Sequence, residues 1–394
     1  MVNQLPQGWK EVKLKDICVL INGRAFKQHE LLDSGKYKVL RVGNFFSNNK
    51  WYYSDLELDN DKYCNQGDLL FAWSASFGPK IWNDKKTIYH YHIWKVKVNE
   101  FVEKKFLYYL LLADSQKIKK SGHGVAMIHI TKMDMENRLY TIPTDKDEQE
   151  YIVKTLDAVA EMIKLRKETI QLTKDLIPAI FQEMFGDPIT NPKGWEITTL
   201  GNPDVCTLQY GYTATAQDSG DTRYIRITDI GKDGYIDNGN KAWLNYDNKM
   251  EDYKLYPKDI LVARTGASYG KTPLYNNDTD AIFASFLIRI IFNKKKIIPE
   301  FYWAYSLTDS YWQQANRLVS GVAQPQFNGS ALKQILLMLP PLSLQDEFAD
   351  KVDQINQNLE VQQKDLDRLQ ELFDQLLQKA FTGELTRGEV YGKY

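Results

Sequence analysis

The stretch FADKVDQINQNLEVQQKDLDRLQELFDQLLQKA, Phe348–Ala380, steps its inward positions by four and three without a break: Phe348, Val352, Ile355, Leu359, Gln362, Leu366, Leu369, Phe373, Leu376 and Ala380. Nine of these ten are apolar, and the residues between them are mostly Asp, Glu, Gln and Lys. So narrow a stripe is the seam of a coiled coil rather than the broader face of a globular helix. The same seam stands 196 residues earlier, at Ile152, Leu156, Val159, Ile163, Arg166, Ile170, Thr173, Ile177, Ile180 and Met184. Even the polar interruption recurs, Gln362 answering Arg166, and one polar residue in a seam commonly fixes register. Each helix is the other's expected partner, through Ile152, Leu156, Ile163, Arg166 and Ile170 on one and Val352, Leu359, Gln362, Leu366 and Phe373 on the other.

The matching seams belong to a repeat of the whole chain. Pro6-Gln-Gly-Trp9, followed by Leu14, Ile17 and Cys18, answers Pro192-Lys-Gly-Trp195, followed by Leu200, Val205 and Cys206. Tyr37–Phe45 answers Tyr224–Ile230, which sets Arg41 over Arg226 and Asn44 over Asp229. Gly67–Trp82 answers Lys258–Tyr275, and the helical patch Phe101–Leu112 answers Ile298–Leu307. Gly124-Val-Ala126 answers Gly321-Val-Ala323, and Ile142-Pro143 answers Leu339-Pro340. The chain divides on this basis into residues 1–145, 146–186, 187–342 and 343–394, a strand-rich globular segment before each long helix. Leu69–Trp73 and Ile260–Ala263 predict buried strands running into glycine-containing loops. Gly186-Asp-Pro188 and Gly383 predict the helix ends, and Pro178 should kink or shorten the last turns of the first helix.

A chain of 394 residues is long enough for two or three cores. It contains no run of the ~20 apolar residues that a membrane span needs, and its first ten residues lack an apolar signal region. Cys18, Cys64 and Cys206 lie far apart, without metal-site spacing, and read as reduced thiols of a cytoplasmic protein. Net charge is −1, but residues 1–145 hold 22 Lys+Arg against 16 Asp+Glu, whereas residues 343–394 hold 6 against 11. Whole-chain charge therefore says little about partners; the basic first segment says more.

Gly266-Ala-Ser-Tyr-Gly270-Lys271-Thr272 resembles a phosphate loop, but only three residues separate its glycines and Pro273 stands where a helix should begin. His90 and His92 alternate as on one strand face, without a carboxylate or cysteine at a metal-ligand spacing, and read as structural polar positions. No nucleophile elbow, adenine-gripping methylation motif or glycine-rich S-adenosylmethionine loop is present, so no catalytic residue or metal ligand is assigned. What remains is polar loops between aromatic strands, in matching places. Arg suits guanine, Asn and Gln suit adenine, and Lys, Arg and hydroxyls suit phosphate. The candidate DNA-contacting residues are Arg24, Lys27, Arg41, Asn44, Ser74, Ser76, Lys80 and His123 in the first half. In the second they are Tyr212, Thr213, Arg226, Thr228, Arg264, Thr265, Ser268, Tyr269, Lys271, Gln324, Gln326 and Asn328.

The Gly-Trp start of each half, the run Arg264-Thr-Gly-Ala-Ser-Tyr-Gly-Lys271, the Pro340-Pro-Leu-x-x-x-Gln345 approach to the helix, and the ending Leu376-Leu-Gln-Lys-Ala-Phe-Thr-Gly-Glu-Leu385 together resemble the specificity (S, or HsdS) subunits of type I restriction–modification enzymes. The first half departs from the pattern, with Asp147-Glu-Gln149 lacking the double proline and Ala72-Trp-Ser-Ala-Ser76 at the loop. The resemblance implies an α+β fold, with two mixed α/β target-recognition domains in tandem and two long antiparallel coiled-coil helices between them about a pseudo-two-fold axis. It also implies a non-catalytic subunit that binds double-stranded DNA, each domain reading half of a bipartite site. Its implied partners are two methyltransferase (M) subunits and restriction/translocase (R) subunits, which would carry S-adenosylmethionine, ATP and Mg²⁺. Alternatives are an S-like protein of a type II or orphan adenine methyltransferase, a coiled-coil scaffold that binds only protein, and an enzyme with a nucleotide at Gly266–Thr272.

Overall fold

The computed structural model describes residues 5–74, 76–121, 130–231, 233–237, 239–276, 280–321 and 324–386. The chain divides into two compact units, residues 1–165 with 366–394, and residues 166–365. The long helices are Lys146–Phe185 and Leu342–Ala380. Each gives one half to each unit, so the units cut across the four segments drawn from the sequence.

In the first unit an antiparallel sheet orders Cys18–Asn22, Ile93–Val98, Leu69–Ser74 and Ser76–Ile81. A second sheet orders Tyr52–Ser54, Tyr37–Leu40, Thr87–Tyr89 and Tyr63–Cys64, its middle pair parallel. The Gly-Trp start forms a strand, Trp9–Lys13, antiparallel to Leu139–Pro143 just before the long helix. Leu69–Phe71 are buried without alternation, as a strand covered on both faces requires. The second unit repeats this order. One sheet is Cys206–Tyr210, Leu287–Phe292, Asp259–Ala263, Leu274–Tyr275; another is Trp243–Leu244, Thr222–Ile225, Ala281–Phe283, again with a parallel pair. Glu196–Thr199 pairs with Leu336–Leu339. The helical patches are Lys104–Ser121 and Pro299–Ser306.

Within each unit the long-helix halves pair antiparallel. In the second, Phe185 and Phe181 meet Phe348 at ring distances of 5.3 and 5.8 Å, while Thr173, further back, meets Gln362, further on. In the first, Ile152 and Leu156 share a core with Leu377 and Ala380, and Phe373 lies 6.2 Å from Tyr109. Ile152, Leu156, Val352, Leu359, Gln362 and Leu366 are buried; Ile163, Arg166, Ile170 and Phe373 are half-buried. The polar positions do not face each other. Gln362 Nε2 donates to Thr173 Oγ1 at 3.1 Å, and Arg166 reaches Asp365 at 3.5 Å. Antiparallel pairing sets position 166 beside 365, so equal places in the repeat are not neighbours in space.

Two expectations are corrected. The first helix is not shortened at Pro178 but stays helical to Phe185. Past Ile177 its buried side is Phe181 and Phe185, with Ile180 and Met184 only partly covered, because those phenylalanines also pack on Phe301 of the globular core. Each fully buried aromatic there contributes roughly 1.5–3 kcal/mol. Gly186 and Gly383 follow the helix ends at φ 81° and 79°, the left-handed cap that glycine adopts freely.

A buried glutamine on each long helix locks it to its globular core. Gln149 accepts from the Glu103 amide at 2.8 Å and donates to the Phe101 and Pro143 carbonyls. Gln345 accepts from the Ile298 amide at 2.9 Å and donates to the Lys296 and Pro340 carbonyls. Among the described residues, no helix is long and apolar enough to cross a membrane.

Candidate nucleic-acid interface

In the first unit the chain leaves Cys18–Asn22 through Gly23, where an added Cβ would stand 2.3 Å from the Tyr89 carbonyl oxygen. That close approach lets the Arg24 amide donate to Tyr89 O and the Tyr91 amide donate to Arg24 O, both at 3.0 Å. It gathers a pile of rings: Phe26 stacks on His90 at 6.4 Å, His90 lies 5.0 Å from His92, and His92 lies 5.0 Å from Trp73. Beside them opens a cleft of about 320 Å³, lined by Arg41, Asn44, Asn48, Lys50, Tyr52, His90 and His92 among others. Arg41 is exposed, 5.4 Å over the Tyr52 ring, and makes no ion pair among the described residues. Burial, then His92 and Arg41, push the His90 imidazole down to about 4, so it is neutral near pH 7. Its Nδ1 faces the His92 amide at 3.5 Å, which favours the tautomer with the proton on Nε2. Arg24 is spent on a two-bond pair with Glu30, whose carboxyl it holds down at about 2.

The second unit builds the same corner with other side chains. Gly211, whose Cβ would stand 2.2 Å from the Ala284 carbonyl oxygen, replaces Gly23, and Tyr212 bridges Ala284 as Arg24 bridges His90. Arg264 takes the place of Trp73. Its guanidinium lies over Tyr210 and Phe286, both exposed, at 5.4 and 5.5 Å, and its Nε donates to Ser285 O at 2.8 Å. Gln326 donates to Thr265 Oγ1 at 2.8 Å and Tyr269 to Asn316 Oδ1 at 2.8 Å. Arg226 is not free like Arg41: it donates to Asp229 Oδ1 and Asn240 O, and the buried Arg223 stands 3.3 Å from the other Asp229 oxygen.

Several sequence candidates are therefore placed otherwise than expected. Ser74 and Thr265 are buried and present nothing to solvent. Ser74 and Ser76 face each other across a tight hairpin, so the expected glycine loop is a strand with Gly78 inside it; Ser76 is exposed. Lys80 donates to Phe45 O at 2.6 Å, and burial pushes its amine down. Asn44 donates both amide hydrogens to the Asn48 and Lys50 carbonyls, and Asn328 caps the short helix Gly329–Leu332. Thr228 donates to Asp229 and Lys271 to Ile230 O. Lys27, Thr213 and Gln324 are exposed, and Ser268 and Tyr212 half-buried. His123, the match at Gly124–Ala126, and Val322-Ala323 lie outside the described residues.

His90 ends a bridge and His92 lies in the turn after it rather than on one strand face, and with Asn48, Lys50 and Tyr52 they are cleft residues that the sequence reading left out. Tyr210 and Phe286 were missed likewise. The signal was present: Tyr89-His-Tyr-His-Ile93 and Phe283-Ala-Ser-Phe-Leu287 occupy one place between aligned strands. Among the described residues no group of three or more His, Cys, Asp or Glu is placed to hold a metal. Gly266–Ser268 is one tight turn leading to the strand Leu274–Tyr275, Lys271 is engaged and Thr272 is buried, which is no phosphate cradle.

A family model described as type I restriction modification DNA specificity domain matches this chain twice, over residues 6–174 and 192–379. The type I restriction enzyme MjaVIII specificity subunit of Methanocaldococcus jannaschii is 22% identical, over 97% of this chain and 94% of that protein. The StySPI specificity subunit of Salmonella potsdam is 23% identical, over 97% and 90%. The crystal structure of the type I restriction–modification S subunit from M. genitalium shares the fold, with a TM-score of 0.52 at 16% identity, over 96% of this chain and 97% of that one.

Proposed function

The chain belongs to the type I restriction–modification DNA specificity family, and from that premise we propose that each unit reads one half of a bipartite DNA site. The observation that carries this is the doubled scaffold whose repeated corner, Gly23 to His92 and Gly211 to Phe286, bears different polar and aromatic groups in each unit. A shared skeleton with unlike side chains at matched outward places is what two half-sites of different sequence require. The chain acts without catalysis of its own. Methyltransferase subunits supply S-adenosylmethionine, motor-nuclease subunits supply ATP and Mg²⁺, and the assembly works on DNA in the cytoplasm.

On this reading the two helices set the spacer, since each runs from one unit into the other. The methyltransferase docks on the outer side of the first helix. Leu172 and Leu176 of the second unit are exposed there one turn apart, an apolar strip that another helix can cover.

The test is selection from randomised duplex DNA by the full chain in complex with its methyltransferase subunits. The expected product is a bipartite motif with a fixed spacer. Seven residues inserted at matched places in both helices add about 10 Å, so the spacer should grow by about three base pairs with the half-sites unchanged. Leu359→Asp or Leu366→Asp should abolish bipartite selection, because an unpaired charge would be buried in the seam. Selection of no motif by the intact complex would refute the reading in favour of a protein-only scaffold.

A further inference from the structure

We infer that the cleft of the first unit is built for the two-acceptor major-groove edge of a guanine, with Arg41 as the reading residue. The inference rests on the DNA-reading function proposed above and commits one site to one base. Among the groups lining the cleft there is no carboxylate, the side chain best suited to accept from the amino group of cytosine. Adenine needs a donor and an acceptor from one amide, and both asparagines are already engaged within their own loop. Asn44 spends its two hydrogens on the Asn48 and Lys50 carbonyls, and Asn48 Oδ1 accepts from the Lys50 amide at 2.8 Å. The charged side chains lining the cleft are both donors: Lys50, and Arg41, which makes no ion pair among the described residues. Guanine presents O6 and N7 as adjacent acceptors, which is the pattern an arginine fork matches with two bonds. A phosphate is also an acceptor, and it is the outcome the experiment must separate.

The full chain in complex with its methyltransferase subunits is offered randomised duplex DNA, as wild type, Arg41→Ala and Arg41→Gln. Wild type should select a G·C pair in the half-site read by the first unit. Arg41→Ala should make that one position degenerate, with discrimination there falling roughly 5- to 150-fold, the other half-site and spacer unchanged. Arg41→Gln, which keeps a polar side chain over Tyr52 and guards against a folding failure, should turn the same position towards adenine. Equal weakening for every sequence with the motif intact, and a salt dependence shallower by about one phosphate, would make Arg41 a backbone contact and overturn the assignment. A half-site composed only of A·T pairs would overturn it without any variant. A wild-type complex that selects no bipartite motif would instead sink the functional reading, and this assignment with it.

Discussion

In the first unit the arginine that ends the parallel strand, Arg41, stands exposed over Tyr52; its counterpart in the second, Arg226, is pinned with Arg223 on the buried carboxylate of Asp229. The residue three places on decides the difference. Asn44 is neutral and spends its hydrogens on its own loop, whereas Asp229 draws two guanidiniums inward. The pieces the units share are of another kind: a glycine against a carbonyl at positions 23 and 211, and a buried glutamine on each long helix at 149 and 345. Scaffold positions are alike because backbone geometry admits few solutions. Exposed positions such as Arg41, Tyr210 and Phe286 are not held in this way, which leaves them open to a ligand.

The contrast is tested most severely at Asp229. Removing it by Asp229→Ala leaves Arg223 and Arg226 without their carboxylate in a dry site, which should cost about 3–5 kcal/mol. Asn44→Ala, at the matching place, should cost about 1–2 kcal/mol. Denaturant unfolding of the full chain measures both, and equal costs would mean that the corners are not built differently. The shared device should behave oppositely. Gln149→Leu and Gln345→Leu each orphan one amide and two carbonyls, so each should lose about 3 kcal/mol, with hydrogen exchange loosening the unit concerned. Unequal losses would break the equivalence.

On the outer face, Leu172→Glu should move stability by less than about 0.5 kcal/mol while abolishing co-purification with the methyltransferase subunit. Retained co-purification would place docking elsewhere. The narrowest effect, confined to acid pH, is a pH difference between the units. Burial holds the His90 imidazole at about 4 against its ordinary 6.5, so the unfolded chain binds its proton first. That contribution to stability is whole above 6.5 and is lost as pH falls from 6.5 towards 4. Ala284, its counterpart, cannot titrate. His90→Asn should flatten that part of the stability–pH curve, and an unchanged curve would contradict the burial of His90.

The long helices were legible because a seam of period 3.5 needs only hydrophobicity to be read, and the two strand-rich segments followed from the repeat, though the order of their strands did not. Phe181 and Phe185 escaped because the first helix there answers a globular core as well as its partner helix. Gln149 and Gln345 read as polar residues near a helix start; that both are clamps depends on carbonyls brought close only by folding. The surface was hardest to read. Lys80 and Ser74 have the residue types of DNA contacts, but a two-strand hairpin turns them inward, whereas His90 and His92 look incidental until Gly23 lets two strands meet.

The central claim, two unlike readers on one scaffold, is tested most directly by sequencing methylated adenines in the genome of a host expressing this chain with its methyltransferase subunit. The account predicts a bipartite motif with two different half-sites, methyladenine in each, and one fixed spacer. Methylation at a single continuous motif, or none beyond the host's own, would contradict it.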